Sequence, residues 1–251
     1  MKIITITNQK GGEAKSTTAE TLSAGLTKKG FRVLSIDMDG QANFSLSQNA
    51  DKSKPTLLGV LTGEVKIENA IQKTNCGDFI PANKALSNAD TILSDTGKEY
   101  KLKEALATIP GLYDYIVIDT PPALNVLTVN ALTACNSVII PTQANIYSIS
   151  GIDRLKDTIA TIKKYCNQAL SIEGILLTRY SDRSTISKQL TNVINDLADK
   201  LNTKVYKSRI RESSIVREAQ VCKQNIFDYS PKSKVAIDYD NFINEFLEDN
   251  K

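Results

Sequence analysis

Short apolar segments alternate with longer amphipathic segments along the chain. Segments with helical periodicity lie between the apolar ones. Residues 17–29 form one such segment, which ends before Gly30, a residue suited to a helix C-terminus. In a second segment, Leu155, Ile159 and Ile162 share one helical face. This alternation predicts right-handed crossovers and an α/β fold, with a doubly wound, mainly parallel sheet covered by helices on both faces. The apolar segments, typical of strands buried on both faces, are 3–7, 33–36, 115–118, 138–140 and 172–177.

The rest of the chain adds little to this organisation. Residues 48–66 are more polar and are expected to form short helices and loops, and the sequence contains no internal repeat and no glycine/serine linker. A single domain over residues 1–251 is therefore predicted. No apolar run approaches the roughly 18 residues that span a bilayer, and the first residues lack a secretory signal. A cytoplasmic location without a membrane partner is expected.

The residue types present restrict the possible chemistry. The sequence has 251 residues and no histidine, which excludes Ser-His-Asp catalysis, Cys-His catalysis and histidine-ligated zinc. The four cysteines are scattered without a C-x-x-C pair and are interpreted as buried or free thiols. They are Cys76, Cys135, Cys166 and Cys222.

Charge is unevenly distributed. Residues 179–234 contain 12 Lys or Arg against 6 Asp or Glu, whereas residues 235–251 contain five acids and one lysine. A basic region within a chain of net charge +3 indicates a local polyanion-binding face.

The strongest motif follows the first predicted strand and precedes the first predicted helix. Glycines there let backbone N–H groups surround phosphate oxygens, and the helix N-terminus adds partial positive charge. Lys15 is placed to reach the β- and γ-phosphates, and the Ser16 hydroxyl to bind Mg²⁺. The motif consists of Lys10, Gly11, Gly12, Glu13, Ala14, Lys15, Ser16 and Thr17.

Carboxylates follow two of the predicted strands. Asp37 and Asp39 come after the second strand, on the same side of an extended chain. Asp119 ends an apolar strand and precedes Thr120-Pro121-Pro122, a pattern in which the carboxylate holds Mg²⁺ through its water shell. Phosphoryl transfer depends mainly on positioning and electrostatics, so these groups suffice without histidine.

The motif at residues 10–17 resembles the deviant Walker A motif of the family that contains ParA and MinD. The resemblance implies an ATPase that binds ATP and Mg²⁺, in which Lys10 reaches the nucleotide of a partner chain and couples ATP binding to homodimer formation. It also implies that Asp39 positions the attacking water and Asp37 supports the Mg²⁺ shell. Ala14 replaces the usual glycine and is expected to need a negative φ, and Glu13 is expected to place a carboxylate near the phosphates.

Further segments resemble ParA proteins in particular: 79–83 with 86–89, 138–143 and 227–233. Together with the nucleotide motifs they cover nearly the whole chain. The resemblance implies a DNA-partition ATPase whose ATP-bound dimer binds non-specific double-stranded DNA. A ParB-like centromere-binding protein would stimulate slow hydrolysis, and the ATP-bound form would associate with the nucleoid.

The same resemblance assigns residues near the end of the fifth predicted strand. Thr178 and Arg179 are expected to line the adenine pocket together with Arg211, and Arg183 to belong to the DNA-binding face. Phosphate contacts of this kind need no reading of base edges. The other residues assigned to that face are Lys207, Arg209, Arg211, Arg217 and Lys223.

Three other functions are compatible with the loop motif. The first is a MinD-like positioning ATPase that acts on a membrane or a protein; binding to a membrane would use a basic, amphipathic C-terminal helix. The polar residues beside the C-terminal apolar stripe are acidic, so the stripe is expected to pack onto the domain. The stripe consists of Phe242, Ile243, Phe246 and Leu247. An iron–sulfur protein like the nitrogenase iron protein would need two suitably placed cysteines per chain, whereas Cys135 is expected to be a small buried residue. A synthetase acting on a small acid would need a substrate pocket that the sequence does not identify.

Overall fold

The computed structural model describes residues 1–181 and 185–250. One eight-stranded sheet has the strand order β3-β4-β2-β5-β1-β6-β7-β8. Every neighbouring pair is parallel except β3 and β4. The prediction of a mainly parallel, doubly wound sheet is therefore confirmed. The strands are β1 (Lys2–Ile6), β2 (Val33–Asp37), β3 (Gln72–Thr74), β4 (Gly77–Ile80), β5 (Tyr115–Asp119), β6 (Ser137–Thr142), β7 (Ser171–Tyr180) and β8 (Val205–Arg211).

Helices cover both faces because successive strand residues point to opposite sides. In β1, Ile3 belongs to one hydrophobic core and Ile4 to the other. The Ile4 core is closed by α1, α2, α11 and α12, and the Ile3 core by α3–α9. The helices are α1 (Lys15–Lys28), α2 (Asn43–Ser47), α3 (Leu57–Leu61), α4 (Ile67–Ala70), α5 (Ala89–Ile92), α6 (Lys101–Leu106), α7 (Val126–Ala134), α8 (Ile146–Tyr165), α9 (Thr185–Lys200), α10 (Ser214–Val221), α11 (Ile226–Tyr229) and α12 (Lys234–Glu248).

Sequence periodicity located the long elements but missed three strands. β3 and β4 are short, and β8 alternates buried residues such as Tyr206 and Ile210 with exposed basic residues. Such alternation is typical of an edge strand with one covered face, whereas the sequence analysis relied on continuous apolar runs. Helix α1 begins at Lys15, two residues before the predicted start, and Gly30 follows it with φ +92°, as its position after the helix requires.

Both predicted apolar helix faces pack against the sheet. Leu155, Ile159 and Ile162 are buried in α8, and Phe242, Ile243 and Phe246 of α12 are wholly buried, so the C-terminal stripe packs onto the domain as expected. Helix α1 approaches α12 closely, because a Cβ added to Gly25 would lie 2.2 Å from Cδ1 of Ile243. Among helices of the described residues, none combines the length and apolar composition needed to cross a membrane.

Candidate nucleotide-binding site

The loop between β1 and α1 forms the centre of the site. Gly12 has φ +81°, a left-handed conformation that glycine adopts without a steric penalty. A Cβ built on Gly11 or Gly12 would meet no described atom within 4 Å, so the loop borders open space. That space lies at the N-terminus of α1, where unpaired N–H groups and the helix dipole favour an anion.

Ala14 adopts a conformation opposite to the one expected. Its φ is +63° and its ψ is +30°, so the expectation of a negative φ is wrong. The left-handed region costs an L-residue about 1–2 kcal/mol. The carbonyl of Ala14 accepts the first hydrogen bond of α1 from Thr18 N at 2.9 Å, which ties this strained residue to the helix start. Ala14 therefore stores backbone strain within the phosphate loop.

Lys15 is buried at the start of α1 and lines the cleft in front of the loop. Its Nζ donates a hydrogen bond to the carbonyl of Lys10 at 3.2 Å. Burial lowers the pKa of Lys15, and Asp119, Asp39 and Glu13 oppose this shift by favouring the charged form. The ammonium thus interacts electrostatically with three carboxylates and lies where an anionic phosphate would supply a further partner.

The Glu13 carboxylate is bonded to groups of its own chain. Its side chain is wholly buried and contacts the junction between β6 and α8. The carboxylate accepts hydrogen bonds from Gln143 N at 2.6 Å and from Ser148 Oγ at 2.9 Å, and it pairs with Lys10 Nζ at 2.8 Å. The side chain of Glu13 is therefore a structural contact between the loop and the sheet edge.

The predicted carboxylates meet at the ends of β2 and β5. Asp37 and Asp119 are direct neighbours in the parallel register. Asp37 accepts hydrogen bonds from Asp39 N at 3.0 Å and from Ser45 N and Oγ at 2.8 and 2.7 Å. Burial raises the pKa of Asp37 to about 6, although these hydrogen bonds oppose the shift. Asp37 thus fixes the loop that carries Asp39 at the edge of the cleft.

Asp119 differs from Asp37 because neither of its carboxylate oxygens has a hydrogen-bond partner of good geometry among the described residues. Burial raises its pKa well above the usual range, and Asp37 raises it further, whereas Ser16 and Lys15 lower it. A buried carboxylate in this condition requires a compensating group. Mg²⁺ binds carboxylates, hydroxyls and water at oxygen, so Asp119 and Ser16 fit the predicted ion.

A cleft of about 580 Å³ lies in front of the loop and has the size of a small-molecule site. The cleft is also lined by residues that sequence reasoning missed: Glu20, Ile210, Val216, Gln220 and Tyr239. They come from α1, β8, α10 and α12, and the undetected strand β8 explains part of the omission. The predicted residues that line the cleft are Gly11, Gly12, Ala14, Lys15, Ser16, Thr17, Asp39, Thr178, Arg179, Arg211 and Arg217.

The basic residues assigned to DNA are brought together only in part. Lys207, Arg209 and Arg211 alternate along β8 on its exposed side, and Arg209 stacks over the Tyr180 ring at 4.5 Å. The Arg211 guanidinium forms a two-bond ion pair with Asp238 at 2.6 and 2.7 Å.

Two of the remaining residues of the predicted face extend in other directions. Arg217 lines the cleft, and Lys223 donates to Asn49 at 2.8 Å, on the loop after α2. Arg183 lies outside the described residues. The structure therefore places three of the predicted residues along β8, whereas Lys223 contacts the loop after α2.

Cys135 is buried, as predicted, at the end of α7. Burial raises the pKa of its thiol to about 12, which keeps it protonated at neutral pH. The side chain behaves as a small core residue and contacts the carbonyl of Leu132.

A glycine-containing loop between strand and helix, with carboxylates at two adjacent strand ends of a parallel sheet, defines a P-loop nucleotide-binding protein. The family model described as an AAA domain matches residues 1–172. Sporulation initiation inhibitor protein Soj of Bacillus subtilis is 38% identical over 240 residues, which cover 94% of each chain. Chromosome partitioning protein ParA of Caulobacter vibrioides is 39% identical over 226 residues, 87% of this chain and 84% of that protein. The chain belongs to the ParA family of P-loop ATPases.

Solved structures support this membership. The structure of cobyrinic acid a,c-diamide synthase from Mycobacterium smegmatis with bound ADP and magnesium matches with a TM-score of 0.85 and 34% identity, covering 99% of this chain and 94% of that one. The septum site-determining protein MinD of Pyrococcus horikoshii, complexed with Mg-ADP, matches with a TM-score of 0.78 and 28% identity, covering 97% and 95%. The cofactors of these structures agree with the predicted nucleotide and Mg²⁺.

Proposed function

We propose that this chain is an ATP-dependent DNA-partition switch. It forms one domain over residues 1–251, binds ATP and Mg²⁺ in the cleft, and dimerises around the nucleotide. The dimer binds double-stranded DNA without sequence preference, at the nucleoid in the cytoplasm. A ParB-like centromere-binding protein stimulates slow ATP hydrolysis and so releases the DNA. The similarity to Soj and to ParA over most of the chain supports this proposal.

Within the cleft, each charged group has a distinct role in this proposal. Lys15 binds the β- and γ-phosphates, and the loop N–H groups bind the remaining phosphate oxygens. Asp119 and Ser16 hold Mg²⁺, which neutralises phosphate charge when bound. Asp39 orients the attacking water, and Asp37 keeps the Asp39 loop in place through its bonds to Ser45 and to Asp39 N.

Lys10 acts in trans in this proposal. A second positive charge at the transferred phosphate stabilises the transition state as an arginine finger does. Because the charge comes from the partner chain, hydrolysis requires the dimer, and the dimer requires the γ-phosphate. ATP binding therefore controls the number of basic faces presented together to DNA.

The observation that carries the proposal is the position of β8. The strand presents Lys207 and Arg209 on its exposed side, and its last residue, Arg211, lines the nucleotide cleft. A basic strand that borders the cleft suits a protein whose DNA affinity depends on its nucleotide. The side chains would contact phosphates and would not select a base sequence.

The test is DNA binding by the whole chain at several salt concentrations, with ATP–Mg²⁺ and then with ADP–Mg²⁺. We expect tight binding with ATP only, and a logarithmic salt slope that the double variant Lys207→Ala, Arg209→Ala reduces by about 1 to 2 for each protomer. Lys52→Ala, Lys54→Ala is the matched control, because it removes the same charge from exposed positions distant in sequence from β8.

Two results would contradict the proposal. Equal, negligible DNA binding with ATP and with ADP would exclude a DNA switch. Equal losses in the β8 variant and in the control would exclude β8 as the DNA-binding strand and leave only a general effect of net charge.

The second candidate is a positioning ATPase that acts on a membrane or a protein partner, which the match to MinD favours. The buried stripe of α12 gives it little support, because Phe242, Ile243 and Phe246 are engaged in the core. Binding of the ATP form to anionic vesicles, without binding to DNA, would select this candidate.

A further inference from the structure

The Lys10 side chain is held within its own chain by three acceptors. Lys10 Nζ lies 2.8 Å from Glu13 Oε1 and donates to Asn145 Oδ1 and Ser148 Oγ, both at 3.1 Å. Asn145 is the N-cap of α8 and Ser148 lies in its first turn. The ammonium is therefore fixed against the β6–α8 junction of the same protomer.

Glu13 is the charged member of this contact, and its surroundings make it depend on Lys10. Its side chain is 0% exposed, whereas that of Lys10 is 30% exposed. Its other partners, Gln143 N and the Ser148 hydroxyl, are neutral donors. If Lys10 leaves, a buried carboxylate loses its cation, and a buried charge without a counter-charge is strongly unfavourable.

We propose that Glu13 is a positioning residue that holds Lys10 in the resting monomer and so opposes the transfer of Lys10 to the nucleotide of a partner. We call the contact among Lys10, Glu13 and Ser148 the Lys10 latch. This inference rests on the proposed function, in which Lys10 acts in trans. Because the latch must open before Lys10 can reach the partner's nucleotide, the dimer is less stable than it would be without the latch.

The phosphate loop connects this latch to the nucleotide. The backbone carbonyl of Glu13 accepts a hydrogen bond from Thr178 Oγ1 at 3.3 Å, and the carbonyl of Gly12 accepts one from Gln143 Nε2 at 3.0 Å. The loop that surrounds the phosphates is thus bonded to β7 and, through Gln143, to the same β6–α8 junction that holds Lys10. A phosphate that shifts this loop changes the geometry of the latch directly.

The first measurement is the rate at which an amine-selective reagent modifies Lys10 in the nucleotide-free monomer, followed residue by residue by mass spectrometry. We expect Glu13→Gln and Glu13→Ala each to increase the rate at Lys10 at least threefold, and to leave Lys2 unchanged. Glu173→Gln is the matched control, because it removes the charge of the partly buried carboxylate with which Lys2 forms a 2.7 Å ion pair. That variant should increase labelling at Lys2 alone.

The second measurement is the dimer dissociation constant with a non-hydrolysable ATP analogue and Mg²⁺, obtained by sedimentation velocity. A sandwich dimer opens two latches, one per protomer. If each contributes about tenfold, Glu13→Gln tightens the dimer by about a hundredfold, and Glu173→Gln leaves it unchanged. Using two substitutions at Glu13, and confirming the fold of each by circular dichroism, separates the latch from a folding defect.

The outcomes separate the latch from the proposed function. If the wild type dimerises and both Glu13 variants have the same dimer dissociation constant as the wild type, the latch is wrong and the proposed function is unaffected. Unchanged Lys10 labelling in folded variants would also overturn it. If neither wild type nor variants dimerise with the analogue, the trans role of Lys10 fails, and the latch fails with it.

Discussion

Replacing Ala14 by glycine tests the strain in the phosphate loop. Ala14 occupies the left-handed region with φ +63°. Relief of that conformation contributes about 1–2 kcal/mol. The greater backbone freedom of glycine in the unfolded chain offsets about 0.4–1 kcal/mol of this gain. We expect Ala14→Gly to raise the free energy of unfolding by about 1 kcal/mol, the difference between these two effects.

The assay is reversible urea unfolding of the nucleotide-free protein, with thermal unfolding as a second measure. A gain of about 1 kcal/mol corresponds to a rise in Tm of about 2–4 °C for a chain of this size. Ala160→Gly is the matched control, because Ala160 is exposed within α8, where glycine costs about 1 kcal/mol. Alanine to glycine should thus raise the free energy of unfolding at position 14 and lower it at position 160. A loss of stability at Ala14 equal to that at Ala160 would refute the reasoning.

Three further substitutions test the cleft and the strand ends and loops beside it. Burial raises the pKa of Glu20 to about 7, so folding takes up a proton between about pH 4.5 and pH 7. Urea unfolding at several pH values should therefore show that the wild type loses up to about 3 kcal/mol of stability as pH rises through this window. Glu20→Gln should make this loss smaller, because glutamine does not titrate. Asp119→Asn should stabilise the nucleotide-free protein by about 1–3 kcal/mol while abolishing the dependence of ATP affinity on Mg²⁺, measured by unfolding and by calorimetry. Gly40→Ala should destabilise by about 1–3 kcal/mol, because the added Cβ would lie 2.3 Å from Ser87 Oγ and 2.7 Å from Ser87 N.

Each of these predictions has a contrary outcome. An unchanged pH slope in Glu20→Gln would assign the slope to another group, and a destabilised Asp119→Asn would mean that the carboxylate has a partner in the folded protein. Gly11→Ala serves as the control for Gly40→Ala, since an added Cβ at Gly11 meets no described atom within 4 Å. Equal losses of stability at Gly11 and Gly40 would contradict the close approach of Ser87.

Sequence patterns located the central strands and the loop motif because both are local. Strands buried on two faces form continuous apolar runs, and the phosphate loop places Lys15 and Ser16 next to each other in the chain. Strand β8 escaped detection because its basic residues interrupt the apolar pattern. The sequence resemblance placed Arg211 in the adenine pocket, but it did not reveal the strand that also brings Ile210 to the cleft.

The chemistry of Glu13 and Ala14 could not be read from neighbouring residues. Glu13 is adjacent to the phosphate loop in sequence, but its partners Gln143 and Ser148 come from a distant segment that the sheet brings beside it. The φ of Ala14 depends on how the loop enters α1, and alanine in a sequence gives no indication of a left-handed conformation. Both features come from tertiary structure, which composition and spacing do not contain.

The strand order has a consequence for synthesis of the chain. Strand β1 lies between β5 and β6, so Lys2 pairs with Tyr115 and Ile4 with Ser137. The first strand therefore has no correct neighbour until β5 has been synthesised, almost halfway along the chain, which takes several seconds at about 5–20 residues per second. During that time the phosphate loop has been translated but lacks Asp119 and Gln143. A nascent chain thus cannot bind nucleotide at this site until its central strands have paired. Nucleotide binding by a nascent chain would therefore indicate that β1 has paired with β5 and β6.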